Sequence, residues 1–196
     1  DGNLITYDAS GDPAYVVTGS DGQVLTSTGA GSAPAFEALP SSGKLLQVQS
    51  VNLTSGATTV SNTTFGATEV TDQITPAATS SKVLVMMSLS LGMYEGSGTG
   101  NFCQAAIYRS INSGTYAKVS YGNADNAFDG QGGFGSGTEI SSSRFVTFQF
   151  LDSPNTTSTV DYKLYIRLSV ASGGGDNVNT GPSNLQRTVT LMEIGA

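Results

Sequence analysis

From Lys44 onward the apolar residues recur at every second position, and no stretch carries a convincing three-to-four spacing of an amphipathic helix. The clearest run sets Val160, Tyr162, Leu164, Ile166, Leu168 and Val170 on one side and Asp161, Lys163, Tyr165, Arg167 and Ser169 on the other. Successive side chains of a strand point to opposite faces, so this alternation describes a strand with one face in a core and one in water. Val146, Phe148 and Phe150 repeat it opposite Thr147 and Gln149. Val83, Val85, Met87, Leu89 and Leu91 form a further face, and Leu84 and Met86 imply that its reverse side is partly covered too. Near the C-terminus the apolar phase passes from Val189 and Leu191 to Met192 and Ile194, which predicts a bulge.

The pattern predicts eight strands, at about 45–53, 66–74, 82–91, 102–110, 115–121, 143–151, 160–170 and 185–194, with Gly, Ser, Asn and Pro between them. Eight antiparallel strands in roughly 150 residues suit an all-β jelly-roll sandwich. An immunoglobulin-like sandwich is the alternative, but it uses fewer strands and shorter loops. If consecutive strands alternate in direction, connections 54–65, 92–101, 122–142 and 171–184 share one pole. They are long and rich in Gly, Ser, Thr and Asn. Connections 75–81, 111–114 and 152–159 are short and share the other pole, where the first strand starts and the last one ends. A further strand around Thr58 to Val60 would upset this parity.

Residues 1–43 differ from the rest and are expected to form an extended arm. This arm holds no Lys or Arg, and it carries Asp1, Asp8, Asp12, Asp21 and Glu37. Its central stretch, Gly22 to Pro34, has too little apolar surface for a core of its own and is expected to order only against sister chains. Leu4, Ile5, Tyr7, Val24, Leu25, Phe36 and Leu39 are the expected oligomer contacts, with Val24, Leu25 and Phe36 buried against neighbours. Residues 44–196 are expected to form the sandwich, a length at which about 70% of the unfolded surface is buried.

Composition narrows the function. Eight basic against fifteen acidic residues, with no basic cluster, argue against nucleic acid, because neutralising phosphates takes Lys and Arg. No apolar run approaches the ~20 residues that cross a bilayer, and no signal-peptide pattern is present, so membrane insertion is not expected. The chain begins at Asp1 and reads as processed or as the distal portion of a longer polypeptide. Cys103 is the sole cysteine, which rules out an internal disulfide and a thiolate metal site; its strand context reads as inert packing. Three Asn-x-Thr sequons, at Asn52, Asn62 and Asn155, read as surface-turn residues of a Thr-rich chain.

Gly2-Asn3-Leu4-Ile5-Thr6-Tyr7, then Gly22-Gln23-Val24-Leu25-Thr26-Ser27 and Gly29-Ala30-Gly31-Ser32-Ala33-Pro34-Ala35-Phe36, resemble a segment recurrent in bacteriophage tail-fibre and virion appendage proteins. Asn3 stands where Asp is commoner there, and Phe36 where Trp is commoner. Ile74-Thr75-Pro76 with Ser80-Ser81-Lys82-Val83-Leu84-Val85 looks like a strand–turn–strand of the globular domain that often ends such fibres. The resemblance implies a structural protein on the virion surface, in a tail or head appendage. It implies a fibre-forming arm that joins other virion proteins, and a homotrimeric C-terminal knob that contacts the host.

Candidate chemistry is sparse. Without histidine the Ser–His–acid and Cys–His arrangements cannot be assembled. Asp125 and Asp129 are the close carboxylate pair worth naming, as a glycosidase would need, but their Gly-rich surroundings suit turn residues better. Asn123, Asp125, Asn126 and Asp129 offer hard oxygens to calcium, yet their spacing departs from the twelve-residue calcium loop. The expectation is therefore a non-enzymatic chain without a cofactor. Tyr94 with Glu95, and Phe128 and Phe134 with Asn123, Asp125 and Asp129, are the candidate contacts for a host-surface glycan or protein; internal packing ranks first for the two phenylalanines. A purely architectural capsid or tail decoration or sheath subunit is the alternative. A capsular polysaccharide depolymerase ranks last.

Overall fold

A computed structural model describes residues 2–39, 43–96, 103–119, 128–130, 140–170, 175–181 and 185–195, with the backbone alone at 95, 128–130 and 140–142. The chain divides into two compact units, Asp1–Ser42 and Gly43–Ala196. All described regular structure is β-strand.

The first unit holds two hairpins, β1 (Leu4–Tyr7) with β2 (Pro13–Val16) and β3 (Gln23–Thr26) with β4 (Ala35–Ala38). An arm expected as extended chain is thus folded back twice, and its turn chemistry accounts for that. The Asp8 carboxylate accepts the N–H groups of Ser10 and Asp12 across the first turn, and Gly11 sits at φ +85°. Asn3 Oδ1 accepts both the N–H and the hydroxyl of Thr18, tying the ends of the first hairpin together. Gln23 Oε1 accepts the Ser20 N–H beside Gly22, which lies at φ +81°. Such side chains and glycines favour turns because they satisfy or permit a reversed backbone. The hairpin registers divide the expected oligomer contacts between two faces. Leu25 pairs with Phe36 whereas Val24 pairs with Glu37, so Val24 lies on the opposite face from Leu25 and Phe36. Leu4 is likewise opposite Ile5 and Tyr7.

The second unit runs β5 (Leu45–Leu53), β6 (Thr59–Val60), β7 (Gly66–Ile74), β8 (Lys82–Glu95), β9 (Cys103–Ile111), β10 (Ala117–Lys118), β11 (Phe128–Gly130), β12 (Ile140–Asp152), β13 (Val160–Leu168), β14 (Asn177–Asn179) and β15 (Arg187–Ile194). Three pairs of these lie end to end. Strands β14 and β15 both pair with the same edge of β8, and β6 and β5 pair in turn with β14 and β15. Strands β10 and β11 share one edge of β9. The expected eight strands are therefore eight ribbons, three of them interrupted. One sheet has the order first, eighth, third, sixth ribbon; the other has second, seventh, fourth, fifth. Every neighbouring pair is antiparallel. That is the jelly-roll order of two interlocked Greek keys.

A strand at Thr59–Val60 does exist, but it continues the line of β5 and leaves the parity intact. The ends of β6, β8, β11 and β13 and the starts of β7, β9, β12 and β14 lie at one pole, here the crown, and the connections 75–81, 112–116 and 153–159 lie at the other. Strands extend further into the predicted loops than expected, so the two poles differ less in connection length. The interruptions restore the contrast: 54–58, 119–127 and 180–186 all fall in the crown half of their ribbons. At the opposite pole the chain enters and leaves side by side, with Gly43 N–H donating to Gly195 O and Gly195 N–H to Lys44 O.

Both inner faces fill one core. Val83, Val85, Met87 and Leu89 of one sheet meet Ile107, Val160, Tyr162, Leu164, Ile166 and Leu168 of the other, all at or near zero exposure. The strict alternation of β13 is realised as read, except that Val170 lies past the strand end and is exposed. Partial cover on the reverse of β8 is also present at Leu84 and Met86. The predicted phase change in β15 is not found. Inward residues run Arg187, Val189, Leu191 and Glu193, with Met192 and Ile194 outward, although a register shift against β5 does occur at Glu193/Ile194.

Candidate functional site

The crown is the candidate site, and buried polar groups fix its base. In β7 the pairing with β13 slips between Lys163 and Tyr165, and threonine hydroxyls fill the ladder there: Thr68 Oγ1 donates to Leu164 O at 2.7 Å and Thr71 Oγ1 to Tyr162 O at 3.0 Å. A bulge re-aims the side chains beside it. Here Glu69 faces the other sheet. Its carboxylate accepts the Thr58 hydroxyl at 2.6 Å and the Thr180 hydroxyl at 2.6 Å, and lies 3.1 Å from Arg187 Nε. Arg187 is fully buried and also donates from Nε to Thr180 O at 2.9 Å. Thr58 and Thr180 exchange a further pair of bonds through their N–H groups. One ion pair therefore clasps the first, second and eighth ribbons where 54–58 and 180–186 depart. A buried charge is tolerable only when an opposite charge and hydrogen-bonding groups meet it in this way.

Close backbone approaches complete this base. Gly181, at φ +81°, passes so near Ser90 O that an added Cβ would stand 2.7 Å from it. Gly92 lies under the Asn179 side chain, whose Oδ1 accepts the Gly181 N–H at 3.0 Å. The Asp176 carboxylate, also buried, accepts the Gly96 N–H at 2.8 Å. The connection 61–65 is held by Asn62 O, which accepts the Leu168 N–H, and by Phe65, which covers the outer face of the β9–β13 sheet.

That outer face carries an aromatic and cationic layer. Tyr108 and Tyr165 stack at 4.0 Å, Phe65 tilts onto Tyr108 and Tyr116 onto Tyr165, each at 6.0 Å. Arg167 lies 4.5 Å and Lys118 Nζ 5.3 Å from the Phe65 ring, and Lys163 Nζ 4.8 Å from that of Tyr116. Desolvation raises the phenols of Tyr108, Tyr116 and Tyr165 above their ordinary range. These residues were not singled out from sequence as a group. Their signal was the outward phase of β13, which places Lys163, Tyr165 and Arg167 on one side.

The sequence-derived contacts reach the crown on two different sheets. Tyr94, half-buried near the end of β8, lies between Ser141 and Asn177 in the ladder, and Glu95 pairs with Ile140. Phe128 and Asp129, read as loop residues, belong to β11 and pair with Ala105 and Gln104. The edge of β9 explains this, because its free N–H and C=O groups attract even a three-residue segment. The side chains of Glu95, Phe128 and Asp129, and Asn123, Asp125, Asn126 and Phe134 altogether, lie outside the described residues, as do the calcium candidates. Among the described residues no three of His, Cys, Asp and Glu stand together as a metal site would need.

The described carboxylates of the sandwich are engaged structurally. Asp152 accepts Arg109 and the Tyr162 phenol, each at 2.7 Å, closing the sandwich on the side away from Glu69. Asp161 accepts Thr71 and Tyr116. Glu193, fully buried at the pole of chain entry, accepts Gln47 at 2.6 Å and the Ala77 N–H at 2.7 Å. Burial alone would raise its carboxyl, but the nearby Ser81 hydroxyl, the Gln47 amide and the Ala77 and Ala78 N–H groups outweigh that and hold it below the ordinary range. A polar cleft of about 390 Å3 lined by Gln47, Gln49, Asp72, Gln73 and Thr159 opens at this same pole, away from the crown. Burial pushes the Cys103 thiol up to about 12, in keeping with inert packing.

No protein-family model matches the chain, and no curated protein does. Among solved structures it is similar to that of the infectious bursal disease virus Gt strain, with 11% identity and a TM-score of 0.36, over 94% of this chain and 47% of that one. Particles of T=1 symmetry derived from infectious bursal virus give 16% identity and a TM-score of 0.37, over 94% and 45%. The VP2 subviral particle of infectious bursal disease virus gives 14% and 0.36, over 92% and 46%. The chain thus spans less than half the length of these proteins. Similarity of this degree carries no weight for function, and the jelly-roll assignment rests on the ribbon order.

Proposed function

We propose that the chain is a non-enzymatic structural protein of a virion. Its acidic arm joins other copies and other virion proteins, and its sandwich forms a homotrimeric knob whose crown contacts a glycan or protein of the host surface. The observation that carries this reading is the division of labour between the poles. Chain entry and exit lie side by side at one, through Gly43 and Gly195, while the ends of β6, β8, β11 and β13 and the starts of β7, β9, β12 and β14 lie at the other. A module attached at one end, with its long Gly-, Ser- and Asn-rich connections leaving from the other, is suited to present loops outward. The arm's likeness to bacteriophage tail-fibre segments supports placement in a tail or head appendage. Three weak crown sites per knob gain about 10²–10⁴ in avidity when geometry allows joint engagement.

Glycan-array and host-cell binding by the full chain, with residues 131–139 replaced by a short Gly-Ser linker, tests the reading. Lost binding with unchanged oligomeric state is expected. Binding that never occurs in the wild type overturns host contact. The second reading, a capsid or tail decoration or sheath subunit without a receptor, is favoured by the apolar outer face described next; it predicts that the same replacement disrupts assembly. The commitment of Glu69, Asp152, Asp161 and Glu193 to structural bonds speaks against a depolymerase.

A further inference from the structure

The two units each leave one apolar surface bare. In the first hairpin of the arm, Ile5, Tyr7, Tyr15 and Val17 share a face and are between 68% and 76% exposed, while Val16 on the opposite face is buried. A lone two-stranded hairpin is marginal in water, and such a face without cover makes it more so. In the sandwich, the outer face of the sheet containing β8 is graded along the strands. Toward the crown it is mostly polar and internally bonded, with Phe145, 71% exposed beside Ser90, as the apolar exception: Asn52 accepts Thr188, and Ser88 pairs with Thr147 at 2.9 Å. Toward the pole of chain entry it becomes apolar. Val48, Met192, Leu84 and Leu151 are ladder neighbours in one row across all four ribbons, and Val48 and Leu151 at its ends are each 48% exposed.

We propose that this row is the docking site for the first arm hairpin of a second copy. The dimensions agree, since a row across four ribbons spans three spacings of ~4.8 Å, roughly 14 Å, and a four-residue strand is about 13 Å long. Tyr7 and Tyr15 are large amphipathic anchors of the kind that dominate interface energies. Charge agrees as well. The hairpin turn carries Asp8 and Asp12 in an arm free of Lys and Arg, whereas exposed Lys44 and Lys82 flank the row at its chain-entry end. A single such contact is smaller than the roughly 800 Å² per partner of a stable interface. A closed ring in which every copy gives one hairpin and receives one doubles the surface buried per copy and leaves no free end. The inference deepens the assembly part of the proposed function and rests on it.

The test uses the full chain. Mass photometry is run on the wild type and on Tyr15→Asp and Leu151→Asp, with circular-dichroism melting as the check that the sandwich is folded; both sites are exposed. The wild type is expected to be a closed oligomer and both variants monomers with a wild-type sandwich. In parallel, Ile5→Cys and Leu151→Cys chains are mixed under mild oxidation. A disulfide-linked pair is expected from the mixture and from neither variant alone; buried Cys103 takes no part. Oligomers that survive both aspartates overturn the docking site and leave the assembly reading standing. Cross-links from Ile5→Cys alone, or only within one chain carrying both cysteines, overturn it in favour of arm–arm pairing or self-docking. A monomeric wild type overturns both readings.

Discussion

The sandwich has two outer faces made from the same kind of ribbon, and they are finished differently. One is covered by the protein itself, where Tyr108, Tyr116, Tyr165 and Phe65 lie under Lys118, Lys163 and Arg167. The other ends in a bare row of Val48, Met192, Leu84 and Leu151. A face closed by aromatic rings and their cations has no need of a partner, because long side chains shield the apolar area themselves. A row of short aliphatics cannot do this. The difference separates a surface built for stability from one built for company.

The sharpest way to break the comparison is to part the two sheets that bear these faces. Arg187→Ala leaves Glu69 unpaired beside Thr58 and Thr180, and is expected to cost about 3–5 kcal/mol, read as a lower denaturant midpoint at unchanged slope. A smaller loss with normal cooperativity would mean that the clasp is dispensable. Next, Tyr165→Ala on the covered face removes a stacked ring and is expected to cost about 1–2 kcal/mol. Leu151→Ala on the bare face is expected to change the stability of dilute protein by no more than about 0.5 kcal/mol, while weakening association. Equal losses from the two truncations would erase the distinction.

Acid sharpens it further. Glu193 is held below its ordinary range, so its contribution is complete above the unfolded value of 4.5 and is lost as pH falls through the lower folded value. It lies beneath the end of the bare row, between outward Met192 and Ile194. Wild-type stability is therefore expected to drop more between about pH 7 and pH 3 than that of Glu193→Gln, with hydrogen exchange rising first around residues 75–81. A modest effect of the opposite sign is expected from Lys118→Met. Among the described residues its buried ammonium has no hydrogen-bond partner, and it lies 5.3 Å from the Phe65 ring. Melting should shift by less than about 1 kcal/mol, toward greater stability.

Strand β13 was legible because nine residues of alternation cannot be mistaken for another period, and β5 and β7 because turn residues bound them on both sides. The short pieces β6, β11 and β14 were not, since two or three residues carry no period; only their partners' free edges define them. Hence Phe128 and Asp129 read as loop. The arm's hairpins were also missed, because their order comes from local bonds of Asp8, Asn3 and Gln23 rather than from apolar burial. Glu193, Arg187 and Glu69 were hidden for the opposite reason. A charged residue at an inward position looks like a change of phase until its partners, distant in sequence, are in place. The crown contacts stand apart from this: the sequence could name Tyr94 and Phe128 as aromatics near turns, but only pairing across ribbons assigns them to separate sheets.

The backbone clasp between Gly43 and Gly195 has one further consequence. A β cassette whose two ends touch can be spliced into a surface turn of an unrelated host protein, or reopened elsewhere and rejoined by a short linker, without stretching either partner.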